Sequence, residues 1–124
     1  MKILIVDDSM VSRMTIKSSL PIFISQTSEI FEAKDGQEGV DKYKEISPDV
    51  VFLDLTMPIL TGYEALEQII EFDKDAKVIV LSADSQPKAV QRVTELGAKW
   101  HKKKPVTKED MVYIFKEILK KEAK

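Results

Sequence analysis

The chain has 124 residues, 44% hydrophobic and 32% charged, with a formal net charge of -2 and no cysteine. That length suits one ordinary domain with a single core, and the near-balanced charge excludes broad affinity for nucleic acid or anionic membrane. The missing cysteines exclude disulfide and thiolate chemistry and suit a reducing compartment, and no apolar stretch approaches the roughly 20 residues of a membrane helix.

The N-terminal "MKILIVDD" runs into two acids after a short apolar stretch, unlike a signal peptide. Its "ILIV", Ile3 to Val6, is β-branched-rich and does not alternate, as expected of a strand covered on both faces. A first helix follows, with Ser9 as its N-cap and its end near Pro21. "SEIFEA", Ser28 to Ala33, alternates in part and reads as a weaker strand. "VVFL", Val50 to Leu53, and "VIVL", Val78 to Leu81, are again continuous apolar strands. "PKAVQRVTELG" reads as a helix that starts at Pro87, buries Ala89, Val90, Val93 and Leu96, and stops at Gly97. The mostly polar "AKWHKKK", Ala98 to Lys104, reads as an edge strand, where lysines discourage further pairing. In the last helix Thr107 is the N-cap, acids fill the first turn, and Met111, Ile114, Phe115 and Ile118 form the apolar face.

Strand and helix thus alternate five times, which predicts an α/β fold with a doubly wound, five-stranded parallel sheet between two helical layers. Strong strands in the middle and weak ones outside give the order 2-1-3-4-5, and residues 1–124 are expected to form a single domain.

Ligands of such sheets bind beyond the carboxyl ends of the strands, where the strand order reverses. The first strand ends in Asp7 and Asp8 and the third in Asp54, so three distant acids should share one crevice. Asp7 and Asp8 would also suit helix capping, but Ser9 can do that alone. Packed carboxylates repel, so one takes a proton or a cation joins them; a hard cation, Mg²⁺ (or Mn²⁺ in vitro), is the expectation. Ser82 and Lys104, at the ends of the fourth and fifth strands, would complete a phosphoryl pocket. A carboxylate there can itself be the nucleophile and form an acyl phosphate, which gives "DVVFLDLTMPILTG" its sense: a core strand delivers Asp54 and a shaped loop holds it. Gly62 reads as a backbone requirement of that loop.

At "IVDDS", "FLDLTMP" with Gly62, "LSA" and "KKP", in this order and spacing, the whole chain resembles the receiver domains of two-component response regulators. The stand-alone, CheY-like chemotaxis type, a flavodoxin-like three-layer fold, is the nearest likeness. The resemblance implies that Asp54 accepts a phosphoryl group from a phosphohistidine of a sensor histidine kinase. It implies Mg²⁺ held by Asp7, Asp8, Asp54 and the backbone carbonyl of Thr56, with Asp8 the closer ligand. It makes Ser82 the switch hydroxyl, Lys104 the contact to phosphoryl oxygens and Lys104-Pro105 a cis peptide. Thr56 and Asp84 would tune hydrolysis of the acyl phosphate.

His101 stands where the family usually carries Tyr or Phe. It either swings inward with the switch hydroxyl, with a charge sensitive to pH, or is a solvated edge residue. Trp100 reads as packing, Lys99, Lys102 and Lys103 as a solvated edge, and Tyr113 as exposed. The resemblance offers the "PKAVQRVTELG" helix, the fifth strand and the last helix as the partner-binding face.

The expected function is a cytoplasmic, monomeric signalling switch rather than an enzyme, although it assists its own phosphorylation and dephosphorylation. Its expected partners are the kinase, a flagellar motor switch or kinase complex in chemotaxis, and a phosphatase, without nucleic acid or membrane insertion. A phosphorelay or other stand-alone receiver is the alternative. A small aspartyl-phosphate phosphatase is a weaker rival, because Thr56 occupies the place of that class's general acid. A flavodoxin-like electron carrier lacks its phosphate-cradling loop after the first strand, and the full acidic set speaks against an unphosphorylated scaffold.

Overall fold

The three apolar runs of the sequence lie side by side as β1 (Lys2–Val6), β3 (Val50–Asp54) and β4 (Val78–Ser82). In the computed structural model, which describes residues 1–57, 59–83 and 86–122, β2 (Glu29–Ala33) and β5 (Trp100–Lys103) close the edges. The sheet is parallel throughout, in the order β2-β1-β3-β4-β5 expected from the sequence. The helices are α1 (Met10–Ser19), α2 (Ile22–Ser25), α3 (Gly36–Ile46), α4 (Gly62–Phe72), α5 (Pro87–Glu95) and α6 (Lys108–Glu122).

Side chains alternate across the sheet with period two, and each central strand therefore feeds two cores. Leu4, Val6, Val51, Leu53, Val78 and Val80 pack toward Val40 and Tyr43 of α3, Leu66 and Ile69 of α4 and Val93 of α5. Ile3, Ile5, Phe52, Ile79 and Leu81 pack toward Ile16 of α1 and Met111, Ile114, Phe115 and Ile118 of α6. This two-sided burial is why the strands read as unbroken apolar runs.

Two details differ from the sequence reading. Pro21 does more than end the first helix: its fixed φ also starts the extra turn α2, whose Ile24 is buried while Ile22 and Phe23 stay exposed. Val90 and Leu96 of the α5 segment are half-buried, because this helix covers the sheet's margin beside the short β5; Ala89 and Val93 are buried as expected.

The caps follow sequence chemistry. Ser9 Oγ accepts from Ser12 N at 3.2 Å at the start of α1. Thr107 Oγ1 accepts from Asp110 N at 3.0 Å and Asp110 Oδ2 accepts from Thr107 N at 3.1 Å at the start of α6. Thr61 and Glu64 form a reciprocal capping box on α4, fixing the loop that follows β3.

Candidate phosphoryl-acceptor site

Strand parity assembles the site. Asp7 directly follows Val6, Asp54 ends β3, and Lys104 directly follows β5, and all three fall on the α1/α6 side of the sheet. Backbone pairing continues past the strand ends, with Asp7 N donating to Ala33 O at 3.0 Å and Lys104 N to Ser82 O at 2.9 Å. Asp7, Asp8 and Asp54 each offer a carboxylate oxygen, and these atoms all lie within 4.8 Å of one another. Asp7 and Asp54 are buried, at 1% and 8% exposure, while Asp8 is exposed.

Lys104 enters this cluster from the far side. Its Nζ donates to Asp7 Oδ2 at 2.6 Å and lies 3.2 Å from Asp54 Oδ1. Asp7 also accepts Ser9 N on Oδ1 at 3.0 Å and the Ser12 hydroxyl on Oδ2 at 2.5 Å. Arg13 Nη1 donates to the Asp7 carbonyl at 2.7 Å, and its Nε is paired with Glu32 at 2.8 Å.

The two buried acids are driven in opposite directions. Burial alone would push Asp7 up, but the hydrogen bonds from Lys104, Ser12 and Ser9 and the lysine charge hold it below the ordinary carboxylate value. Burial, followed by the charge of Asp7, pushes Asp54 up; Lys104 opposes this and Asp8 adds to it. Burial works against the Lys104 ammonium, but the Asp7 hydrogen bond and the Asp54 charge raise its pKa. The cluster therefore retains excess negative charge at Asp54 even with the lysine in place.

This donor set fits a hard divalent cation: only oxygens converge, with no imidazole or thiolate in the cluster. The raised Asp54 marks where further positive charge would be favourable.

The other expected residues are placed as follows. Ser82 is buried at the end of β4, on the opposite strand parity. Thr56 is exposed on the loop leaving Asp54, and Asp84 lies outside the described residues. Lys104-Pro105 is cis. His101 is half-buried on β5 beside Val80, and its Nε2 is buried without a hydrogen-bond partner among the described residues, unlike a fully solvated edge residue. Trp100 packs on the α1/α6 core, Lys99 and Lys103 are exposed, and half-buried Lys102 places Nζ 5.3 Å over the exposed Tyr113 ring.

The loop holding Asp54 is clamped by backbone approach. A Cβ on Gly62 would lie 2.2 Å from the Asp54 carbonyl oxygen, and Gly62 N donates to Leu55 O at 3.0 Å. Gly62 is thus required by proximity. Sequence reasoning missed Ser12 and Arg13, whose polar groups sit one helical turn past the acids and were read only as parts of a helix.

The sequence pattern of the family described as "Response regulator receiver domain" matches residues 3–116. The chain is 41% identical over 122 residues to the chemotaxis protein CheY of Treponema pallidum, covering 96% of this chain and 83% of that protein. It is 46% identical over 99 residues to the chemotaxis protein CheY of Listeria monocytogenes, covering 80% of this chain and 82% of that protein. Among solved structures, a chain of the CheX-CheY-BeF3-Mg complex from Borrelia burgdorferi superposes with a TM-score of 0.86 and 35% identity, covering 95% of this chain and 88% of that one.

Proposed function

Because the chain belongs to the response regulator receiver domain family, we propose that it is a phosphorylation-dependent switch whose acceptor is Asp54, working in chemotaxis. The observation that carries this reading is the Lys104 ammonium bridging Asp7 and Asp54 inside a cluster of three carboxylates.

Asp54 is buried enough to be oriented by its strand and open enough, at 8% exposure, for a donor's phosphorus to reach its outer oxygen. In the transfer step an Asp54 oxygen forms the new P–O bond while the P–N bond to a phosphohistidine of a sensor histidine kinase breaks. The Lys104 ammonium, already 3.2 Å from Asp54 Oδ1, hydrogen-bonds the oxygens of the transferred group. The hydroxyl of Ser82, at the neighbouring strand end, donates to the same group. Asp7, Asp8, Asp54 and the Thr56 carbonyl would hold Mg²⁺, which when bound supplies positive charge to the phosphoryl oxygens. One solved relative, from Borrelia burgdorferi, carries Mg and BeF3 in its complex with CheX, which supports both the cation and a partner of CheX type.

The added charge draws Ser82 and Lys104 inward and shifts the packing beside β5, including His101. The face of α5, β5 and α6 then changes its affinity for a target such as a flagellar motor switch or kinase complex. Residues 1–124 act in this reading as one receiver domain whose output passes through that partner. Incubation with phosphoramidate and Mg²⁺ followed by intact mass tests it: one added phosphoryl group is expected, absent after chelation and in Asp54→Asn. Equal modification of wild type and Asp54→Asn overturns it.

A further inference from the structure

Ser12 is the third residue of α1, a position from which a side chain commonly reaches back to the helix cap. Its backbone N–H does serve the cap, donating to Ser9 Oγ. Its hydroxyl goes elsewhere. The next hydroxyl-bearing residues of the helix, Thr15, Ser18 and Ser19, donate to carbonyls of α1 itself, as such residues ordinarily do. Ser12 instead turns out of the helix and donates to Asp7 Oδ2 at 2.5 Å, the short end of the range for a hydroxyl on a charged carboxylate.

An ionised carboxylate has about four acceptor positions, two on each oxygen. On Asp7, Lys104 Nζ and Ser12 Oγ take Oδ2, and Ser9 N takes one position on Oδ1. The carboxylate is buried at 1% exposure and cannot rotate without breaking bonds at both oxygens. One acceptor direction, on Oδ1, is left for a cation. Without the Ser12 hydroxyl, Oδ2 would be held by the lysine alone, and the lysine also faces Asp54.

The geometry points to Ser12 as a positioning residue for divalent-cation binding, fixing the Asp7 carboxylate in the orientation that the cluster of Asp7, Asp8 and Asp54 requires. This rests on the proposed function only in taking Mg²⁺ as the cation. The Ser12 hydroxyl bonds Asp7 and would act through it.

The test is calorimetric titration of Mg²⁺ alone into the unphosphorylated full chain as wild type, Ser12→Ala and Ser12→Thr. Loss of a hydrogen-bond partner behind a metal ligand weakens metal binding about 10-fold, so Ser12→Ala should show that loss, while Ser12→Thr, which keeps the hydroxyl, binds like wild type. The metal-free Ser12→Ala protein should stay folded with a modestly lower thermal midpoint, because the lost hydrogen bond to the Asp7 carboxylate outweighs alanine's gain in helix propensity. The affinities are therefore compared at a temperature where both proteins are folded. Wild-type affinity in Ser12→Ala, or equal weakness in the alanine and threonine variants, overturns the inference and leaves the proposed function standing. A wild type that takes up no Mg²⁺ overturns both.

Discussion

Lys104 Nζ sits 2.6 Å from Asp7 Oδ2 and 3.2 Å from Asp54 Oδ1, so the lysine leans toward Asp7 and away from the proposed acceptor. Asp54 is thereby left with the weaker share of the ammonium.

Lys104→Met removes the only cation bonded to the buried Asp7 carboxylate among the described residues. The orphaned charge should lower stability by about 2 kcal/mol, discounted from the cost of a fully buried pair because the lysine is partly exposed. Urea unfolding checks this. Adding Asp7→Asn should recover part of the loss, and strictly additive losses would show the pair to be uncoupled.

The two acids predict opposite pH behaviour in metal-free protein. Asp54 has a folded pKa above its ordinary 3.8, so its contribution is fully present below that value and is lost as pH rises through the folded pKa. Asp54→Asn should therefore stabilise at pH 7, on the order of 1 kcal/mol, with the gain fading in acid. Asp7 has a lowered pKa, so its contribution is present above 3.8 and is lost as pH falls through the folded value. Asp7→Asn should accordingly destabilise at pH 7. Unfolding curves at neutral and acid pH that move both variants in the same direction contradict this assignment.

Much of this arrangement was legible in the chain. Continuous runs such as "VVFL" announce strands buried on both faces, and their parity places Asp7, Asp54 and Lys104 on one side. The turn α2 was not legible, since four residues carry too little periodicity to stand out after Pro21. Nor was the bond from Ser12, because a serine in a helix has several nearby acceptors and only the folded geometry selects Asp7. His101 lay between two readings for a similar reason: one edge strand can half-bury a ring on one face and solvate lysines beside it.

The loop after Asp54 carries a local conflict. Ile59, 81% exposed, adopts φ 72°, a left-handed conformation that a β-branched residue resists. Ile59→Gly should stabilise by about 1 kcal/mol in thermal unfolding. Gly36→Ala should do the reverse, by roughly 3 kcal/mol, because the new Cβ would lie 2.0 Å from the Leu60 carbonyl oxygen on the same loop. Neutral effects at both positions would show the loop to be loosely held.

A cation held by the three acids must stabilise the folded chain by mass action. Mg²⁺ at a hundredfold excess over its dissociation constant should add about 2.7 kcal/mol, reversed by chelator and abolished in Asp8→Asn. An Asp8→Asn variant that responds like wild type would remove Asp8 from the ligand set.

The most direct test is chemical trapping of the acyl phosphate. Protein treated with phosphoramidate and Mg²⁺ is reduced with borohydride, which converts a phosphorylated aspartate to homoserine, and is then mapped by peptide mass. Homoserine at position 54 alone is the predicted result. Reduction at Asp7 or Asp8 in place of Asp54, or an unmodified map from metal-loaded protein, would contradict Asp54 as the acceptor.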